Sequence, residues 1–416
     1  MANAYKFEND FEGAVDKLFQ KGLVNESGGS FLQTLIDQRL ETEANRYFWQ
    51  EHFTVEGQEY QMNPSNLRQD PAYTVKNITR RVVPMADASA PLSESAQLDN
   101  EGFESRTGSI FRFSKGLYET SLSKKELEAR LLEYSPADRN LVTGFAMGIA
   151  DLIKTHNYRL SNMAAQVISK GGAYDNVDSK GWSGVRISAP AYVPAENFVK
   201  AGTAVWADSA CDIPSQMQKI ERDFKKARNL PEDAPFEWDL PYDLVVNVFL
   251  NNSFVKAEVN RYIRLYAPDK YIIVTSGVSG VDTNVISWEQ LLAYSMTSGV
   301  SKIAPIRIVK ESQTVQTISA TTTVKGWKTG VAVLRPLGNA GVIVHSNIED
   351  VMLMQSGEVN KTVDFSIAKY QNFLYVINKV VPNGVWKAYH TDVLGRYAPV
   401  LNEFTDHCVV DTLTAD

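Results

Sequence analysis

Between Ser135 and Gly172 the chain reads SPADRNLVTGFAMGIADLIKTHNYRLSNMAAQVISKGG, and its apolar positions recur every three or four residues. Val142, Phe145, Ile149, Leu152, His156, Leu160, Met163 and Val167 fall on one stripe, the period of an amphipathic helix. Ser135 suits the N-cap, and Pro136 the first helical position, where a missing N–H costs nothing. Asp138 stands in the capping-box position, and Gly171 with Gly172 supplies the stop. The pattern predicts one helix of about 33 residues, roughly 50 Å long, about three times the usual length. A buried helix of a large core accounts for the stripe but not for the length. Gly144 and Gly148 are spaced as in a membrane packing motif, but the apolar run from Leu141 to Ile153 is too short to span a bilayer and contains Asp151.

Before this rod the patterning changes twice. The chain to about Ser30 is mixed and ends in NESGGS, a flexible joint. FLQTLIDQRLETEANRYFW then predicts an amphipathic helix with Phe31, Leu35, Ile36, Leu40, Tyr47 and Phe48 on one face. From Phe53 to Leu122 apolar content falls, and Pro64, Pro71, Pro84 and Pro91 punctuate the chain. YTVKNITRRVV and GSIFRFSKGLYETSL are β-type pieces; in the second, Ile110 and Arg112 face one way and Phe111 and Phe113 the other. The turn-rich PMADASAPLSESAQLDNEG lies between them. This predicts a two-stranded projection, which needs a surface to lie on, since an isolated hairpin is marginal in water.

After the rod, Pro214 starts a helix with Ile213, Met217, Ile220 and Phe224 inward, while its ERDFKKAR segment reads as a solvated face. From Phe236 onward strands and helices mix. YDLVVNVFL predicts a strand, NSFVKAEVNRYIRL a helix with Phe254, Val255, Val259, Tyr262 and Ile263 inward, and KYIIVTSG a strand. SWEQLLAYSM opens with Ser287 and Gln290 as a capping box. KIAPIRIVKES, TVQTISATTTV and GVAVLRP are β-branched runs. NAGVIVH, a short helix at NIEDVMLM, then FLYVINKVV, GVWKAYH and HCVVDTL close the chain.

The 416 residues allow two or three domains. A hydrophobic fraction of 44% and a charged fraction of 22% are ordinary for a folded soluble protein. The formal net charge of −7 argues against a protein that coats nucleic acid, which leans on Lys and Arg. With Cys211 and Cys408 alone, no disulfide framework is implied and a reducing compartment is expected. The N-terminus has no apolar core of the signal-peptide kind, so synthesis and folding in a cytoplasm are expected.

The search for reaction chemistry yields no catalytic, cofactor-binding or metal site. GVSGVD, from Gly277 to Asp282, has the wrong spacing for a phosphate-cradling loop. His52, His156, His345, His390 and His407 show no paired metal spacing. Asp406, His407 and Cys408 look like an activated thiol, yet neighbours on a strand point to opposite faces, so a structural strand end is the better reading. Glu349 and Asp350 read as a helix start. The sequons at Asn77, Asn251 and Asn360 read as chance matches.

The order of elements carries more than any motif: an arm, a polar β-projection, a very long helix, a second helix, a mixed α/β region and a β-rich return. This α+β order resembles the major capsid proteins of tailed bacteriophages, the HK-ninety-seven-like capsid fold. NYRLSNMAAQVISKGG, WADSACDIPSQMQKI (with Trp206 and Asp208), RPLGNAGVIVHSNIEDV and GRYAPVLNEFTDHCVVDTL are similar to the phage-lambda-like subgroup. The resemblance implies an N-terminal arm and helix at 1–52, an E-loop β-hairpin at 53–122 and a peripheral (P) domain with the spine helix at 123–235. It further implies an axial (A) domain at 236–335 and a β-rich return at 336–416. It implies self-assembly into pentamers and hexamers of an icosahedral or prolate head around double-stranded DNA, touched only non-specifically. A portal, a separate scaffolding protein and minor or decoration proteins are the further partners implied, with no membrane, no cofactor and no enzymatic activity. The location implied is the virion capsid, with the host cytoplasm during assembly. Only some 50 residues precede the projection, so a fused scaffolding segment is expected to be absent. Lys76 and Asn77 are of the types that cross-link in some members, but no pattern marks them as reactive. An encapsulin-type shell, a β-rich adhesion protein and a cytoplasmic enzyme with no recognisable site are the alternatives.

Overall fold

The predicted rod is present as a single α-helix from Pro136 to Lys170, 35 residues long. In this computed structural model the residues described are 47–61, 69–78, 103–120, 136–172, 187, 189–266, 286–297, 299–316, 321–356, 365–370, 372–383 and 386–415. The side chains of Val142, Phe145 and Ile149 lie outside them, as do most of the predicted arm helix, KYIIVTSG, the GVSGVD loop and Asn360. Gly171 and Gly172 end the rod with φ of +68° and +129°. A Cβ at Gly172 would stand 2.2 Å from the Pro190 carbonyl oxygen, so glycine is required there.

In chain order the helices are α1 (Phe48–His52), α2 (the rod), α3 (Ile213–Ala227), α4 (Ser253–Tyr266), α5 (Trp288–Ser295) and α6 (Glu349–Ser356). The strands are β1 (Phe53–Tyr60), β2 (Ala72–Ile78), β3 (Phe103–Ser109), β4 (Phe111–Thr120), β5 (Phe198–Lys200), β6 (Phe236–Pro241), β7 (Ile306–Val309) and β8 (Gln313–Gln316). β9 (Thr321–Val324), β10 (Val331–Pro336), β11 (Gly341–Ser346), β12 (Phe365–Tyr370), β13 (Leu374–Asn383), β14 (Trp386–Leu401) and β15 (Cys408–Asp411) follow. The chain divides into two units: Met1–Tyr73 with Ser109–Ser161 and Val342–Pro399, and Thr74–Gly108 with Asn162–Gly341 and Val400–Asp416.

The first unit is built on a six-stranded sheet in the order β1-β11-β14-β13-β12, with β4 also paired to β14. β1 and β4, read from sequence as parts of the projection, are thus sheet strands. The period-2 pattern of β4 reports a half-buried strand but not its partner: Phe113 stacks on Tyr397 at 4.7 Å. The rod is tied to this sheet by His156, whose Nδ1 meets the Tyr397 hydroxyl and whose Nε2 meets the Val393 carbonyl, each at 3.0 Å. Trp49 of α1 donates to Asn157 Oδ1 at 3.1 Å.

The second unit is built on a five-stranded sheet, β5-β15-β10-β6-β7. One face carries Phe236, Trp238, Leu240, Ala332, Leu334, Cys408 and Val410 into an apolar core with α3, α4 and α5. The alternate positions on β6 and β10 carry Glu237, Asp239 and Arg335, all buried. Arg335 faces Glu237 directly and Asp239 diagonally across the β6–β10 register. Its Nε and Nη2 engage Asp239 at 2.6 and 3.3 Å, and Nη2 also reaches Glu237 at 2.6 Å. Its Nη1 donates to the carbonyls of Pro336 and Gly338 at 3.1 and 2.7 Å. Burial works against the charge on the guanidinium, and the two carboxylates outweigh it, so its pKa rises.

Two predicted elements differ. YDLVVNVFL is a helical turn, Tyr242–Leu244, running into a π-turn, Val245–Phe249, with the Leu250 N–H donating to the Val245 carbonyl at 3.0 Å. The strand lies just before it, at β6. A short apolar run has no periodicity to tell strand from buried helix. Phe254, read as inward, is largely exposed, while Val255, Val259 and Ile263 fill the α4 core face as expected. Lys225, in the segment read as solvated, is buried; its ammonium bonds Glu221 Oε1 at 2.7 Å and the Glu232 carbonyl at 3.1 Å.

Replacing Arg335 by Met should lower unfolding free energy by about 3–5 kcal/mol, because Asp239 and Glu237 are left buried with too few donors. Arg335→Lys should rescue only part of the loss, since one ammonium cannot supply the fork. Denaturant titration of both variants checks this.

Candidate functional site

The residues that looked most like chemistry are internal. His407 Nε2 meets the Asn402 carbonyl at 3.1 Å, and burial beside the Arg335 charge lowers its pKa to about 3. Burial pushes the Cys408 thiol up to about 12. At neutral pH the pair is therefore a neutral imidazole and a protonated thiol, the reverse of an activated nucleophile. Burial, helped by Asp208 and Asp212, pushes Cys211 up to about 11. Burial likewise holds His156 near 4, as a neutral tie between helix and sheet. Asn251 donates to the carbonyls of Val246 and Asn247, and Asn77 to Thr405 Oγ1. Among the described residues no group of three or more His, Cys, Asp or Glu could hold a metal ion. Among the same residues no helix is long and apolar enough to cross a membrane.

Two surfaces stand out among the described residues. The first is the base of the β2–β3 pair, in the first unit. The Ile110 N–H donates to the Pro71 carbonyl at 2.8 Å, closing the base where β2 begins and β3 ends. Arg396 of β14, 2% exposed, grips both sides: Nη1 reaches Asp70 Oδ1 at 2.6 Å and the Ile110 carbonyl at 3.2 Å. Its Nη2 pairs with Glu349 at the start of α6. Arg112 adds Asp350 at 3.3 Å and Glu349 at 3.6 Å. Burial raises the Glu349 pKa, but Arg396 and Arg112 reverse this and hold it below the ordinary carboxylate range. Glu349 and Asp350 do start a helix, as their sequence indicates, and the same acids pair with Arg396 and Arg112.

In the second unit β2 and β3 pair with each other. Thr74 and Thr107 share a hydroxyl bond of 3.1 Å. Asn77 donates to Thr405 Oγ1 at 2.6 Å, and Arg106 donates to the Ala191 carbonyl at 3.0 Å and lies 5.3 Å over the Phe404 ring. These strands therefore lie on their own chain; the turn-rich tip is outside the described residues. No motif marked Arg396 or Arg106 as an anchor, because their partners are far off in sequence.

The second surface is apolar. Leu265 (67% exposed) and Tyr266 end α4, and Met296 (66% exposed) follows α5. Tyr262 joins them: it stacks on Tyr266 at 5.9 Å, and its hydroxyl meets Thr297 Oγ1 at 3.2 Å. Exposed apolar side chains gathered at two adjacent helix ends suit contact with another protein surface.

Arg396→Met should lower stability by ~2–3 kcal/mol, less than for a fully buried pair because Asp70 is partly exposed. Its distinguishing effect should be faster hydrogen exchange at Ile110 than elsewhere in the sheet, read by mass spectrometry.

No family model matches the chain, and no curated protein matches it. Among solved structures it is similar to the capsid of cyanophage A-1(L), at 12% identity and TM-score 0.44, over 86% of this chain and 90% of that one. It is similar to the mature capsid of bacteriophage PhiM1, at 9% identity and TM-score 0.41, over 88% and 87%. The capsid of Ralstonia phage GP4 gives 8% identity and TM-score 0.41, over 89% and 92%. At such identities and TM-scores the likeness by itself carries no argument about what this chain does.

Proposed function

We propose that the chain is a major capsid protein, the repeating subunit of a phage head. The observation that carries this reading is the order of elements around one uninterrupted 35-residue helix, the order on which the sequence resemblance rests. A helix satisfies its own backbone hydrogen bonds, so a rod of roughly 50 Å stiffens a subunit in a shell one domain thick. Copies meet in pentamers and hexamers through heterologous contacts that close into rings. The apolar ends of α4 and α5 belong to the region read as the axial domain and face a neighbouring copy in the ring. The projection is held at its root by Arg396 and ordered by its own chain through Arg106 and Asn77; its tip clasps the adjacent subunit. Double-stranded DNA fills the head and touches the shell only non-specifically. A portal and a separate scaffolding protein complete assembly in the host cytoplasm, and the mature site is the virion. The role is structural, without catalysis.

Leu265→Asp combined with Met296→Asp should leave the subunit folded, because both side chains are already exposed, and should abolish rings. Sedimentation velocity on the full chain with and without the changes tests it. A wild type that stays monomeric across salt and concentration, or a double variant that assembles normally, would count against the reading.

Deleting residues 84–102 should likewise spare the fold, since that stretch has no core-forming pattern. Assembly should weaken, because the lost contact recurs in every copy. Normal shells from the deletion variant would remove the clasp role.

A further inference from the structure

Between β7 and β10 the chain leaves the five-stranded sheet, forms the antiparallel β8–β9 hairpin and returns. Among the described strands, β8 and β9 pair only with each other. Glu311 stands just before β8 and is 7% exposed. Its Oε2 accepts the N–H of Gly326 at 2.5 Å and of Trp327 at 3.2 Å, both just past β9. One carboxylate oxygen from the β8 side thus holds two backbone N–H groups on the β9 side and closes the hairpin base. That base is seated on α2. A Cβ at Gly326 would lie 2.4 Å from the Asn162 carbonyl oxygen, and the Lys328 N–H donates to Ser169 Oγ at 2.9 Å. The other oxygen of Glu311, Oε1, is buried and has no hydrogen-bond partner among the described residues.

We propose that Glu311 is a proton-operated clasp: the β8–β9 hairpin is held closed on α2 while the carboxyl is protonated and is released more readily once it ionises. An ionised carboxylate here loses its hydration, and one of its oxygens gains nothing in return. Burial pushes this group up to about 7, against the pull of the Gly326 and Trp327 N–H groups and of Lys325. The surrounding charges do not cancel it. Lys325, at the end of β9, pairs with Asp243 of the helical turn. Lys310, the preceding residue, lies over the rings of Trp288 and Tyr242 at 4.6 and 5.6 Å. Lys170 of α2 is bonded to Gln166 Oε1 at 3.1 Å, and Lys328 is exposed.

In the open hairpin the carboxyl meets water and returns to its ordinary value of 4.5. The closed state therefore binds the proton more tightly than the open one. Closure is strongest below the open-state value, weakens as pH rises towards the closed-state value, and is level above it. This inference does not rest on the shell reading.

Hydrogen exchange of the full chain at the Gly326–Trp327 amides, corrected for intrinsic rates, tests the clasp between about pH 5 and pH 8. The wild type should open more readily at the upper end by on the order of a hundredfold. Glu311→Gln, a neutral isostere that keeps the acceptor oxygen, should show no such slope. A flat wild-type profile, or the same slope in Glu311→Gln, overturns the proposal. Should that variant fail to fold, the wild-type slope at Gly326 compared with Val333 in the β10 core decides: a steep slope at Gly326 alone supports the clasp, and equal slopes refute it.

Discussion

From Leu160 to Ser169 every residue of α2 is buried, and much of the molecule follows from that. A helix enclosed on all sides has no solvent for its polar side chains, so each must find a partner within the fold or strand a buried polar group. Gln166 donates to Asn162 Oδ1 at 2.7 Å and accepts from Lys170 at 3.1 Å. Ser169 donates to the Ala165 carbonyl and accepts from Lys328. At Gly326 a Cβ would stand 2.4 Å from the Asn162 carbonyl oxygen of the rod, so no larger residue fits. The rod ends where Gly171 turns the chain and its carbonyl accepts the N–H groups of Tyr192 and Val193.

The same rule governs the buried charges. Arg335 in the second unit and Arg396 in the first are both nearly inaccessible, and each gathers carboxylates from chain segments distant in sequence. Such clusters add little net stability over an apolar core, but they fix which strands meet in which register. Arg335 sets β10 against β6. Arg396 ties β14 to Asp70, to the Ile110 carbonyl and to the start of α6.

Legibility in the sequence followed the range of the interactions. The rod, its glycine stop, the capping box of Ser287 with Gln290, and the inward faces of α3 and most of α4 were readable because each depends on neighbours within four residues. The π-turn at Val245–Phe249 was misread because a short apolar run carries no period. β1 and β4 were assigned to the projection because alternation does not name a strand's partner. The buried Lys225 and the Arg396 anchor were invisible because a charged residue in a polar-looking stretch discloses neither its burial nor a partner hundreds of residues away. The apolar ends of α4 and α5 were not legible in the sequence, because they depend on how the two helices pack.

A capsid subunit must make shells. Negative-stain electron microscopy of the expressed full-length protein tests it most directly, because it images assembly without presuming a partner or a ligand. Five- and six-membered rings, sheets or closed shells of uniform curvature are expected. Fields of isolated single-subunit particles at every concentration and salt, with the protein folded by circular dichroism, would contradict it.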